Sequence, residues 1–307
     1  MQLHIKLCIN TGYAYIDSIL LLVFVAGMIY LAIIAFDHRL HVKKYTVGSQ
    51  KVKHPVRIAF ITDLHATKFG KKQNKLLTQI EEEAPDIILL GGDIFSDNQK
   101  DSNTKALLAG ISEKYSCFFS PGNHEIQFGE KSYVEKLDII KKHNIQILAG
   151  NSSSITVNGE KIAIFGIEDP TAYSAPWSAN NKSFIEELDQ LNQKITKDIF
   201  SILLSHRPEY FKTYTDLCFD VVLCGHAHGG QWRLPYLING LYAPHQGLFP
   251  KYAGGKYSEN GTTMIVSRGL SLRSTWVPRI FNRPELVIID IDNELNFSKH
   301  AHDSYIQ

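Results

Sequence analysis

The amino-acid sequence predicts an α/β fold with a sheet part parallel and part antiparallel, preceded by one membrane-spanning helix. Three observations predict it. From Arg57 onward, short apolar runs alternate with amphipathic stretches of helical period. Five short polar segments each follow one of those runs, and a single uncharged run of 19 residues lies near the N-terminus. Composition sets the outer limits. The 307 residues are 44% hydrophobic and 21% charged, which excludes a disordered chain. A mean hydropathy of −0.12 with only one long apolar run excludes a multi-span membrane protein. The formal net charge of +1 argues against a nucleic-acid binder that works through a broad basic face.

The first element is the apolar run itself, residues 18–36 (SILLLVFVAGMIYLAIIAF). As a helix it would span roughly 28 Å, close to a bilayer's hydrocarbon thickness. No small-residue cleavage site follows it, so a permanent anchor is expected over residues 16–37, after a short N-terminal segment (1–15). Only Lys6 precedes the run, whereas Arg39, Lys43, Lys44, Lys51, Lys53 and Arg57 follow it. The positive-inside tendency then places the body on the cytoplasmic side of the inner membrane, joined through a basic linker (38–56). The four cysteines show no framework spacing, consistent with a reducing compartment.

The body starts at residue 57. Strands are expected at residues 57–62, 86–90, 116–120, 145–148, 200–204 and 219–224, all dominated by apolar residues. Residues 154–157 and 161–167 flank Asn158-Gly159, a two-residue hairpin signal. Late strands are expected at 262–267 and 286–291. Between the early strands, residues 71–84 set Leu76, Leu77, Ile80 and Ala84 on one helical face, and 104–114 and 131–143 read similarly. No repeat or second domain boundary interrupts residues 57–307.

The chemistry sits at strand ends. The five segments are Asp63-Leu64-His65, Gly91-Gly92-Asp93, Gly122-Asn123-His124-Glu125, Ser205-His206 and Gly225-His226-Ala227-His228. Asp63 to Asp93 is 30 residues and Asp93 to Asn123 is 30 again, about one strand–helix unit each. In open α/β sheets the carboxyl ends of the strands collect ligands, so successive units deliver these side chains to one crevice. Asp and His are donors suited to Mn, Fe, Zn or similar divalent ions, and Asp93, central in the order, is the candidate to bridge two of them. A lone histidine is more often a packed or surface residue. That reading is given to His4, His38, His41, His54, His143, His245, His300 and His302. Arg207 and Arg268 are likewise expected to be surface charges.

The series D-x-H, G-D, G-N-H-E, H and G-H-x-H resembles the calcineurin-like metallophosphoesterase superfamily, over residues 57–291. Gly229-Gly230-Gln231 with Arg233, and Ser267-Arg268-Gly269-Leu270, resemble its membrane-anchored YkuE/YaeI-like branch, near the UDP-2,3-diacylglucosamine pyrophosphatases of lipid A synthesis. The resemblance implies a β-sandwich of two mixed sheets flanked by helices. It also implies two divalent metals, one on Asp63, His65, Asp93 and His228, the second on Asp93, Asn123, His206 and His226. His124 is then the expected general acid, positioned by Glu125.

Residues 232–252 (WRLPYLINGLYAPHQGLFPKY) are strongly apolar and follow His228 almost at once, with Tyr173 to Trp177 as a further apolar patch. Three functions stay open. One is a phosphodiesterase or pyrophosphatase for a lipid or lipid-linked substrate at the membrane face. The second is a tethered phosphatase or phosphodiesterase for soluble nucleotides or phosphoproteins. The third is a non-catalytic scaffold.

Overall fold

Successive strand residues point to opposite faces, and in the central strands of this chain both faces are apolar, so both must be covered. The computed structural model describes residues 2–96, 100–177, 182–272 and 278–294, the side chains of residues 2–14 excepted. Helix α1 (Gln2–Ala35) is followed by strands β1 (His41–Gly48) and β2 (Val56–Ile61), helix α2 (Asn74–Glu83) and β3 (Ile87–Leu90). Next come α3 (Ser102–Ser112), β4 (Ser116–Phe119), the short α4 (Asn123–Ile126), α5 (Glu130–Lys142) and β5 (Gln146–Ile147). The hairpin β6 (Asn151–Val157) and β7 (Glu160–Gly166) turns at Asn158-Gly159. Helix α6 (Phe184–Asn192), β8 (Phe200–Leu204), α7 (Phe211–Thr215) and β9 (Val221–Cys224) follow. The chain continues through the two-residue strands β10 (Tyr242–Ala243) and β11 (Gly247–Leu248) to β12 (Gly255–Glu259), β13 (Thr262–Val266) and β14 (Glu285–Asp292).

These strands build two six-stranded sheets, ordered β1-β14-β2-β3-β4-β5 and β12-β13-β9-β8-β7-β6. Each is mixed: β2, β3, β4 and β5 run parallel and β14 antiparallel to β2, while β7, β8, β9 and β13 run parallel between antiparallel edges. Ile58, Phe60, Ile87 and Leu89 meet Ile162, Ile164, Ile202, Leu204, Val221 and Leu223 between the sheets. Their neighbours Ala59, Ile61, Ile88 and Leu90 point outward to Leu76, Ile80, Leu107 and Ile111 of α2 and α3. Leu203, Val222 and Met264 pack outward on Leu188, Leu191, Phe211 and Tyr214 of α6 and α7. The fold is the expected α/β sandwich with helices on both outer faces.

One expectation is corrected, and one element was missed. Residues 38–56 are not a linker, because β1 lies parallel to β14 over its whole length, from His41 opposite Glu285 to Gly48 opposite Asp292. The reason is its alternation: Tyr45 and Val47 face the inter-sheet core, with Lys43 at the exposed end of the same face, while Val42 on the opposite face packs under the outer helices. Helix α6 went unpredicted although Ser183-x-x-Glu186 is a capping box. The Ser183 hydroxyl accepts from the Glu186 N–H (3.2 Å) and the Glu186 carboxylate accepts from the Ser183 N–H (2.6 Å).

Tyr15–Ala35 is long and apolar enough to cross a membrane, and its large side chains are exposed. The last carbonyl of α1, on Ala35, accepts the Phe281 N–H at 2.7 Å, so the helix end is tied to the body.

Candidate active site

Because β2, β3 and β4 are parallel, their carboxyl ends open at one edge, and the residues that follow are Asp63 and His65, Asp93, and Asn123. Parallel β8 and β9 do the same in the second sheet for His206, then His226 and His228. Bonds between the two edges join them into one site. His206 Nδ1 lies 2.8 Å from the Gly91 carbonyl, and the His226 N–H donates to Asp63 Oδ1 at 3.0 Å.

Overlapping clusters result, two of them wholly buried. Ligand atoms of Asp63, His65 and His228 lie within 4.8 Å of one another, as do those of Asp93, His206 and His226. Asp93 reaches both, with Oδ2 3.0 Å from His206 Nε2 and 3.7 Å from His65 Nε2. Asp63 Oδ1 is 3.7 Å from His228 Nε2 and 3.8 Å from His206 Nε2. Both carboxylates are fully buried. Buried acceptor and donor atoms are ordinarily paired, yet among the described residues Asn123 Oδ1 and His228 Nδ1 have no hydrogen-bond partner, and Asp93 Oδ2 and His206 Nε2 have only each other, at 3.0 Å. Orphaned oxygen and imidazole atoms facing one another are what a divalent cation would satisfy, and the set fits one.

The electrostatics agree. Burial raises the Asp63 carboxyl to about 6, against the pull of His206. Burial would raise Asp93 too, but the charge of His206 and its close contact hold it well below the usual carboxylate range. His206 itself rises to about 10: burial opposes the rise, and Asp93 and then Asp63 drive it. The two carboxylates thus demand positive charge between them. His226 and His228 are pushed far down, by burial first and neighbouring cations second, which leaves neutral imidazoles, the form that ligates metals.

The backbone is strained at these residues. Asp63, His65, Asp93, His226 and His228 all adopt left-handed φ, between 45° and 65°. Non-glycine residues avoid that region, at order 1–3 kcal/mol each where it is forced, and such strain collects at functional sites. Glycines give the loops room. A Cβ on Gly122 would lie 2.3 Å from Asp93 Oδ1, and one on Gly225 would lie 2.3 Å from Asp63 Oδ2.

His124 is half-buried at the rim. Its N–H donates to Asp93 Oδ1 (2.8 Å), and its ring meets the His65 ring edge-on at 4.6 Å between centroids. Glu125 does something other than expected. One oxygen accepts from the Asp93 and Gly122 N–H groups (both 2.8 Å), the other from Ile94 and Phe95 (2.9 and 3.1 Å). It locks the Asp93 and Asn123 loops together rather than aiming the His124 ring.

Arg207 is not a surface charge. It is 5% exposed and clamps Asp169, through Nε on one oxygen and Nη2 on the other (2.8 Å). Arg268 is half-buried on Glu285 (2.5 Å). Among the histidines read as packing, His245 meets the site, with Nδ1 2.9 Å from His226 Nε2. His300, His302 and the side chain of His4 lie outside the described residues. Sequence reasoning also missed Arg279. It is 1% exposed, its three guanidinium nitrogens have no hydrogen-bond partner among the described residues, and its charge acts on Asp63 and His228. Burial lowers it to about 10, with Asp63 opposing. No local motif marks it: Asn282, three residues on, brings it there by donating to the His228 carbonyl (2.8 Å).

With this geometry in place, residues 56–230 match the family described as calcineurin-like phosphoesterase. The chain is similar to an uncharacterized metallophosphoesterase of Campylobacter jejuni, Cj0846, with 29% identity over 81% of this chain and 63% of that one. It thus spans a little under two thirds of that relative. It is also similar to the phosphodiesterase YaeI of Escherichia coli (26% identity, 77% and 82% covered). A third relative is the UDP-2,3-diacylglucosamine pyrophosphatase LpxG of Chlamydia muridarum (24% identity, 77% and 83% covered).

Proposed function

Since the chain belongs to the calcineurin-like phosphoesterase family, we propose that it is a binuclear metal-dependent hydrolase that cleaves a phosphodiester or pyrophosphate bond of a lipid or lipid-linked substrate at the membrane face. The observation that carries the reaction class is the convergence of buried ligand atoms of Asp63, His65, Asp93, His206, His226 and His228 at the carboxyl edges of two sheets. Asp63, His65, Asp93 and His228 would hold one divalent cation, and Asp93, Asn123, His206 and His226 the other. When bound, such a pair acidifies a water and neutralises charge on the phosphate. The chain's own residues do the rest. Asp93 spans both clusters and fixes their separation. Glu125 holds the two loops that carry Asp93 and Asn123. His124, at the open rim, gives its proton to the oxygen of the departing group.

Arg279 offers its unpaired guanidinium to a phosphate oxygen. A buried cation without a partner is costly, and a bound anion removes that cost. Arg279→Gln should retain stoichiometric metal and lower kcat/KM by about 10- to 100-fold, the worth of a charge-assisted hydrogen bond. Arg279→Lys should recover part of it. Unchanged kinetics in Arg279→Gln would remove the residue from the site.

Two features support the membrane face. The Phe281 N–H that caps α1 sits beside Ile280, whose carbonyl accepts the Arg233 N–H at 3.0 Å, so the loop after His228 lies at the exit of the helix. Trp232, Leu234, Tyr236 and Leu237 of that loop are exposed. Such an apolar patch beside a catalytic crevice suits an acyl-bearing substrate, as the name of the Chlamydia muridarum relative also suggests. The basic residues after the span support a cytoplasmic face.

The test is metal-stripped full chain in detergent, reloaded with Mn, Fe or Zn and offered phosphate monoesters, small phosphodiesters and UDP-linked diacyl sugars. Activity should return with metal and favour diesters or pyrophosphates over monoesters. Serine at Trp232, Leu234 and Tyr236 together should lower turnover of dispersed lipid at least about tenfold and spare small diesters. Equal loss on both would favour a soluble substrate.

A further inference from the structure

Two adjoining cavities lie where α1 meets the body. The first, about 290 Å³, is bounded by Ile34 in the last turns of α1 and by Arg283. The second, about 360 Å³, runs inward past Lys43 of β1 to Arg233 and Glu285. His41 and Arg268 line both.

The charges of the inner cavity do not balance. Glu285 is taken by Arg268, whose Nε donates to it at 2.5 Å. Lys43 and Arg233 add two further positive charges. Arg233 Nη2 donates to Asn239 Oδ1 at 2.6 Å, but Nη1 is buried and has no hydrogen-bond partner among the described residues. Both guanidinium groups are half-buried, and Arg268 is close enough to oppose the charge of Arg233. Burial is the larger force lowering Arg233, and Arg268 the next. A cradle with surplus positive charge and an unused donor is built for an anion that presents several oxygens.

Depth decides which anion. Ala35 is the last residue of the apolar span and is bonded to Phe281, so Ile34 and His41 sit where hydrocarbon gives way to headgroups. The exposed Trp232, Leu234, Tyr236 and Leu237 belong to the same rim. We propose that the cavity between Lys43, Arg233 and Arg268 is a docking site for the phosphate of an anionic membrane phospholipid, whose acyl chains lie along α1. This rests on α1 acting as a membrane anchor, the reading proposed above, and is separate from the catalytic centre. It would seat the body so that the crevice opens toward the bilayer surface.

The experiment uses the full metal-loaded chain in detergent, titrated with short-chain phosphatidylglycerol, phosphatidylcholine or inorganic phosphate, with adducts counted by native mass spectrometry. Hydrolysis of a small soluble phosphodiester is read in parallel. Phosphatidylglycerol should bind saturably at one per chain and about tenfold more tightly than phosphatidylcholine, with inorganic phosphate a weak competitor. Arg233→Gln should weaken that binding about tenfold, the worth of one charge-assisted bond, and Lys43→Gln, on an exposed strand position that tolerates change, should weaken it measurably. Both variants should keep wild-type hydrolysis of the soluble diester. Equal binding of the two lipids, undiminished binding in both variants, or full displacement by inorganic phosphate would overturn the proposal. Loss of soluble hydrolysis in the unaltered chain would instead overturn the catalytic reading.

Discussion

Replacing Asp93 by alanine should abolish turnover, with kcat/KM falling roughly 1,000-fold or more, and should release at least one of the two proposed metals. Asp93 joins both ligand clusters: its Oδ2 lies 3.0 Å from His206 and 3.7 Å from His65, and Oδ1 accepts the His124 N–H. Its removal leaves His206 with less of the negative charge that raises it. The interior apolar strands do not depend on this carboxylate, so the variant should fold. Metal analysis, turnover and far-ultraviolet circular dichroism on one preparation decide it. Full metal content with wild-type turnover would show that the cluster is not a catalytic centre.

The second large effect is kinetic and leaves the metal in place. His124→Ala should slow hydrolysis about 100-fold or more, and the loss should grow as the leaving group becomes a poorer one. This is the proton-donor role proposed above. The Gln127 side-chain amide lies 2.9 Å from His124 Nδ1 and steadies the ring at the rim. A slowdown equal across good and poor leaving groups would mean that His124 only shapes the rim. Glu125→Gln separates the neighbouring role. It should unsettle the loops, because its carboxylate serves the N–H groups of Asp93, Ile94, Phe95 and Gly122, and metal loss should accompany any loss of rate.

What the sequence alone determined about this protein is local. Runs such as VRIAFI, IILL and VVLC are apolar on both faces, which makes them central strands whatever surrounds them, and their observed bounds differ from expectation by a residue or two. The Asp, Asn and His residues that follow them come to one edge because parallel strands share a direction, so strand order and ligand type sufficed to find them. The 21-residue span Tyr15–Ala35 was legible for the same reason: its apolarity needs no partner.

Only the tertiary structure decided what depends on residues far apart in the chain. Strand β1 exists because Glu285–Asp292 lies alongside it, some 240 residues later, and a basic stretch alone reads as a linker. Arg207 turned from surface charge to buried clamp because Asp169 meets it across 38 residues, and Glu125 became a loop lock because backbone N–H groups of two segments converge on it. His245 and Arg279 carry no local mark at all, and nothing local joins Lys43, Arg233 and Arg268 in one cavity. Burial and charge pairing are properties of neighbourhoods in space, and hydrophobic period encodes only which face of an element turns inward.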